Sequence, residues 1–158
     1  MELLTTPRLA LGPFRIGDGP GLKCYVSKPE VTLYDSPYPD DDAGCAAVAK
    51  FFAESDEFWA VRLRDSGGLI GHIHWGIRPD EPGCVRNLGF ILDSAFWGQG
   101  LACEACTAVI RHGFATGTEA FLTGTRLENG RSVRLLARLG FARVETGDPT
   151  EGVFRLQR

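Results

Sequence analysis

The sequence predicts a mixed α/β fold, a central and mostly antiparallel sheet of about seven strands flanked by about four helices. Three observations carry this. Apolar residues recur at spacings of three and four from Leu101 to about Ala115, the period of a helix with one buried face. Two pairs of β-rich segments are joined by glycine-containing turns, at Asp65-Ser66-Gly67-Gly68 and around Gly147-Asp148-Pro149, which reads as two hairpins. Strand-like and helix-like segments also alternate along the chain instead of segregating into blocks.

Taken in order, Arg8 to Phe14 alternates imperfectly and predicts a first strand that Gly17 to Pro20 interrupts. Weak helix signals follow from Leu22 to Ser27, and Val31-Thr32-Leu33-Tyr34 reads as a short extended piece. The aspartates of Pro37 to Asp42 suit a helix start, and Ala46, Val48, Ala49, Phe51 and Phe52 carry that helix to about Glu54. Phe58 to Arg64 and Leu69 to Ile77 form the first hairpin, and Cys84 to Leu92 forms the next strand, with Asn87 and Gly89 on one side of it. Phe96-Trp97-Gly98-Gln99-Gly100 turns into the helix whose stripe is Leu101, Ala105, Ala108, Val109 and His112. Glu119 to Arg126 is a strand. Asn129 opens a short helix lined by Leu135, Leu136 and Leu139, and Gly140 stops it. Phe141 to Glu145 and Gly152 to Leu156 close the sheet.

No linker, repeat or low-complexity tract divides these 158 residues, so one domain spans 1–158. A chain of this size buries roughly two-thirds of its unfolded surface and needs neither disulfide nor metal to hold its core. The net charge of −3 speaks against a nucleic-acid binder, and no apolar run approaches the ~20 residues of a membrane span. Charge is unevenly placed: Asp40, Asp41, Asp42, Glu54, Asp56 and Glu57 crowd the first half, a field suited to a cationic partner. Arg126, Arg131, Arg134, Arg138 and Arg143 crowd the last third, a field suited to an anion. Five cysteines, with no signal-peptide pattern, read as reduced thiols and a cytoplasmic protein. Cys103-x-x-Cys106 lacks the further ligands of a zinc site and reads as two small residues of one helix face, so no metal site is expected.

The chemistry-bearing signal is Trp97-Gly98-Gln99-Gly100-Leu101-Ala102 between a strand and a helix. Glycines there let successive N–H groups converge, and the unpaired amides and dipole of the helix start add positive potential, an arrangement suited to a pyrophosphate. It is neither G-x-x-x-x-G-K-[ST] nor G-x-G-x-x-G, since residue 103 is cysteine. A plain tight turn would also use two glycines.

With this turn, several spaced segments resemble the GNAT acetyltransferases, in particular the branch that modifies ribosomal-protein N-termini. They are Thr6 to Phe14, Gly68-Leu69-Ile70-Gly71-His72-Ile73, Asn87 to Asp93, Phe96 to Ala105, Glu128 to Leu136, and Leu139-Gly140-Phe141, covering nearly the whole chain. The resemblance implies the GNAT fold and acetyl-CoA as the acetyl donor. It implies that Gly98, Gln99, Gly100, Leu101 and Ala102 hold the pyrophosphate through main-chain N–H groups. The main chain of Phe90, Ile91 and Leu92 would pair with the pantetheine arm, and an N–H near Ile91 or Leu92 would meet the thioester carbonyl. Asn129 and Ser132 match the family's N-x-x-S, in which Asn contacts the cofactor and Ser protonates the leaving sulfur; Asn129 is equally suited to capping its helix. The family's phosphate motif begins with Gln or Arg where this chain has Ala95, and many relatives carry Glu at the position of Asn87. A carboxylate base is therefore missing there. His72 and His74 share a strand face and either could serve as base at neutral pH; His74 is the candidate carried forward, a hydrogen-bonded structural role is the more usual one for a strand histidine, and the sequence establishes no base. Trp59, Trp75 and Trp97 read as core before they read as pocket walls. The acceptor implied is a primary amine, on a small molecule or a protein N-terminus. A non-catalytic acyl-CoA-binding module is the alternative that Asn87 prompts. The chain would act alone or as a homodimer, and the sequence leaves that open.

Overall fold

The structure, a computed structural model, describes residues 1–158. Its elements are β1 (Leu4–Thr5), β2 (Leu9–Gly12), α1 (Gly19–Val26), α2 (Pro29–Thr32), α3 (Asp42–Ala53), β3 (Phe58–Leu63), β4 (Leu69–His74), β5 (Val85–Asn87), β6 (Gly89–Leu92), α4 (Leu101–Ala115), β7 (Ala120–Arg126), α5 (Gly130–Arg138), β8 (Ala142–Val144) and β9 (Glu151–Gln157). They build two sheets, ordered β1-β2-β3-β4-β6 and β5-β7-β9-β8. Every pairing is antiparallel except β5 with β7.

The segment expected as one strand from Cys84 to Leu92 is divided between the sheets, and this division makes the site. Val85–Asn87 lies parallel to Ala120–Leu122, and the Leu88 N–H still donates to the Leu122 carbonyl (3.0 Å). From Gly89 the chain leaves β7 and pairs with β4 instead, His74 opposite Gly89 and Gly71 opposite Leu92. Beyond Leu88, β6 and β7 therefore diverge. A second difference is α2, where an extended piece was expected. Pro29 fixes φ near the helical value at the first helical position, and the Lys28 carbonyl accepts from the N–H of both Val31 and Thr32. That local geometry outweighs the strand preference of Val31 and Thr32.

Each face of the sheet buries its own core. Leu101, Ala105, Cys106, Val109 and Ile110 of α4 and Leu136 of α5 pack with Leu9, Leu11, Trp59, Val61, Ile73 and Phe121. Leu22, Tyr25 and Val26 of α1 and Cys45, Ala49 and Phe52 of α3 pack with Phe14, Ala60 and Ile91 on the opposite face. The capping aspartate of α3 is Asp41, whose carboxylate accepts from the Gly44 N–H at 2.8 Å. No helix is long and apolar enough to cross a membrane.

Candidate active site

The turn between β6 and α4 carries six consecutive backbone amides, Gly98 to Cys103, with no hydrogen-bond acceptor in the protein; the first helical bond is Glu104 N–H to the Gly100 carbonyl. Gly98 and Gly100 have φ of 75° and 78°, the left-handed region that costs other residues about 1–2 kcal/mol. A side-chain carbon added at Gly98 would meet nothing within 4 Å. The turn is held from outside by a cluster that sequence reading missed. The Glu104 carboxylate accepts from the Thr6 hydroxyl (2.6 Å), the Arg8 N–H (2.9 Å) and Arg8 Nε (2.7 Å), and Arg8 Nη1 donates to the Gln99 carbonyl at 2.8 Å. Burial pushes the Glu104 pKa up, but the donors from Thr6 and Arg8 outweigh it and hold it below the usual carboxylate range. Only the helix-start position of Glu104 is visible locally; its partners lie almost a hundred residues away.

The turn opens onto a cavity of about 450 Å³. Nine of the ten residues expected to hold the cofactor line it: Phe90, Ile91, Leu92, Gly98, Gly100, Leu101, Ala102, Asn129 and Ser132. Gln99 does not, because its carbonyl is turned to Arg8 and its side-chain amide donates to the Ala95 carbonyl. On β6, the Asp93 N–H bonds the Ile70 carbonyl, so by the alternation of an antiparallel ladder Ile91 also faces β4, while Phe90 and Leu92 direct their main-chain groups toward the divergence. Of the two amides expected near the thioester, the Leu92 N–H is the one left free by this register. The Leu92 carbonyl accepts from the Trp97 indole at 2.9 Å, which ties the turn to the strand.

The opposite wall is α5. Asn129 caps it, its side-chain oxygen accepting from the Ser132 N–H at 3.3 Å, so the capping half of its expected role is in place. The Ser132 hydroxyl makes no hydrogen bond within the protein and is half-buried. Arg131, Arg134 and Arg138, three and four apart on one helix face, line the same cavity, and the Arg131 guanidinium stacks 3.6 Å from the centre of the Trp97 ring. Unpartnered amides and three arginines beside an apolar strand edge fit a ligand with phosphates at one end and an apolar arm at the other. The remaining wall is α2 and the residues after it, Glu30, Val31, Tyr34 and Asp35. It is anchored beside β6 by the ion pair of Lys28 with Asp93 and by the Ser94 hydroxyl donating to Glu30 at 2.7 Å.

His74 lies outside this lining. Its ring stacks on Phe58, its Nδ1 is 3.0 Å from Asn87 Nδ2, and its Nε2 is 3.6 Å from the Glu57 carboxylate. These contacts hold the ring between Asn87 and Glu57. The fold thus fixes His74 between two neighbours, neither adjacent in sequence, and apart from the residues that line the cavity. His72 is buried beside it and bonded to the hydroxyls of Tyr25 (2.8 Å) and Tyr38 (3.3 Å). Burial depresses its pKa to about 3, so it is neutral. Trp59 and Trp75 are core, whereas Trp97 is a cavity wall. Cys106 is buried and its thiol pKa pushed up by that burial, and Cys103 and Cys106 belong to no metal-binding group.

Residues 8–142 match the sequence pattern of the acetyltransferase (GNAT) domain. Over 147 residues the chain is 28% identical to the uncharacterized N-acetyltransferase YnaD of Bacillus subtilis (strain 168), covering 89% of this chain and 82% of that one. Its fold matches an acetyltransferase of the GNAT family from Bacillus anthracis with a TM-score of 0.87 at 18% identity, over 99% and 98% of the two chains. It also matches the ribosomal-protein-S5-alanine acetyltransferase from Vibrio fischeri, TM-score 0.80 at 15% identity, over 99% and 97%. The divided sheet, the open amide turn and these matches lead to one conclusion: the chain is an acyltransferase that belongs to the GNAT acetyltransferase family.

Proposed function

We propose that this acyltransferase moves the acetyl group of acetyl-CoA to a primary amine, of a protein N-terminus or a small molecule, by direct attack of the amine on the thioester. The observation that carries the reading is the run of six unpartnered amides, Gly98 to Cys103, opening with Arg131, Arg134 and Arg138 onto one cavity. Those groups hold the pyrophosphate and the third phosphate without needing the side chain that Ala95 lacks. Phe90 and Leu92 offer main-chain groups to the pantetheine amides as an added strand would. Acetyl-CoA supplies the activated acyl group. The Leu92 N–H is placed to donate to the carbonyl oxygen as charge builds on it. The Ser132 hydroxyl, free of other partners, protonates the departing sulfur; since a thiol has a pKa of about 8.5, this assistance is useful but modest. Asn129 holds the first turn of α5 and with it the position of Ser132.

The test is calorimetric titration with acetyl-CoA, with ATP and NAD as controls, followed by thiol release in the presence of an amine panel. Binding restricted to CoA compounds with amine-dependent thiol release is expected. No affinity for acetyl-CoA would return the glycine turn to a plain connection.

A further inference from the structure

Neither position discussed so far places a proton acceptor for the amine in the cavity. Asn87 has none to offer, and His74 lies outside the cavity lining, against Asn87 and Glu57. Two carboxylates line the cavity, Glu30 and Asp35. Glu30 accepts from Ser94, and the donor holds its pKa below the usual range, fixing it as a structural tie. The Asp35 carboxylate has no hydrogen bond and no ion pair in the protein, although only its N–H is committed, to the Thr32 carbonyl. The chain path fixes where along the cavity Asp35 lies. Glu30 is bonded to Ser94, past the C-terminal end of β6, and Tyr38 reaches His72, whose partner across the ladder is Ile91. Between those two anchors the chain runs back along β6, from the phosphate-binding turn toward the divergence from β7. Tyr34 and Asp35 lie in that stretch and line the same cavity as Ser132.

We propose that Asp35 is the proton acceptor of the transfer reaction, a catalytic role that rests on the acetyl-transfer reading above. The acceptor nitrogen forms its bond to the thioester carbonyl carbon, and the proton it must lose passes to the Asp35 carboxylate. The carbon–sulfur bond breaks, and the sulfur takes a proton from the Ser132 hydroxyl. Solvent then removes the proton from Asp35 and restores the one on Ser132, so amine and thioester give amide and thiol with no other reagent. Asp35 is an exposed residue on the rim of the cavity, and the neighbours it does have displace some water from its carboxyl and raise its pKa from the usual aspartate value, a direction that suits a base. The charged and titratable groups facing it are Glu30 and Tyr34 on its own segment, Tyr38 beyond it, Cys103 of α4, and Arg131, Arg134 and Arg138 of α5.

The test is Asp35→Asn and Asp35→Glu in the full chain, with butylamine and a tripeptide with a free α-amino group as acceptors. Acetyl-CoA affinity, measured by calorimetry, is expected to be unchanged in both variants. In Asp35→Asn, kcat falls about 100-fold and the acidic limb of its pH profile disappears, while Asp35→Glu recovers most of the rate. If Asp35→Asn keeps the wild-type kcat and acidic limb while binding acetyl-CoA, the role of Asp35 is refuted and the transfer reading stands. If the wild type binds no acetyl-CoA, or binds it and acetylates neither amine, the transfer reading fails and this role with it.

Discussion

Replacing Gly98 by glutamate tests the amide turn most directly, because the structure separates its two consequences. The first is backbone strain. Gly98 sits at φ 75°, so any other residue costs about 1–2 kcal/mol. For 158 residues the unfolding entropy is roughly 0.33 kcal/mol per kelvin, so Tm without ligand drops by about 3–6 °C. The second is electrostatic. The new side chain enters open space, since nothing lies within 4 Å of its first carbon, at a residue that itself lines the cavity. A carboxylate held at about 4 Å from one phosphate charge is opposed by roughly 4 kcal/mol at an effective dielectric of 20, on the order of 1000-fold in affinity. Acetyl-CoA at a hundred times the wild-type Kd adds about 2.7 kcal/mol, a rise of about 8 °C in Tm. At the same concentration the variant gains on the order of 0.1 kcal/mol, less than 1 °C. Gly67→Glu is the matched control. Gly67 has φ 70° and open space around it in the β3–β4 turn, so it carries the same strain with no ligand effect. Scanning calorimetry with and without acetyl-CoA reads both. A Gly98→Glu protein that keeps the full ligand-induced rise would refute the assignment of this turn to the pyrophosphate.

Ser132→Ala is expected to lower kcat about 100-fold with acetyl-CoA affinity unchanged, measured by thiol release and calorimetry; an unchanged kcat would leave Ser132 a helix residue. Glu104→Gln removes charge-assisted bonds to Thr6 and Arg8 and is expected to cost about 2 kcal/mol at pH 7, read as a lower denaturation midpoint. Because its folded pKa lies below 4.5, the stability that Glu104 contributes is present above that pH and lost as pH falls further, so the difference between variant and wild type shrinks in acid. His72 is held neutral down to about pH 3 but binds a proton when unfolded from about pH 6.5, so stability should fall between those values as pH is lowered. The slope approaches 1.4 kcal/mol per pH unit, and His72→Gln, which keeps hydrogen-bonding atoms without titrating, should flatten it in urea melts across pH 4–6.

What the chain determines alone is what depends on near neighbours. The α4 stripe, the turn at Asp65–Gly68, the Asn129 cap and the glycine turn before α4 all rest on spacings of a few residues, and each stands where its residues place it. The family resemblance adds the order of the segments and, with it, ten expected cofactor-holding residues, nine of which line the cavity. The pieces that escaped are those in which distant groups compete. Cys84 to Leu92 reads as one strand because its β preference is continuous, but which strand it pairs with depends on β4 and β7, and the change of partner at Leu88 opens the site. Asn87 and His74 look like independent candidates until the fold sets their side chains 3.0 Å apart, outside the cavity lining. Glu104, Arg8 and Gln99 carry no local sign of belonging together, and neither do Asp35 and Ser132. Spacing along the chain specifies a helix or a turn because their hydrogen bonds are local. The neighbours that set a carboxylate's proton affinity or open a cleft are brought together only when the sheet and its two cores close.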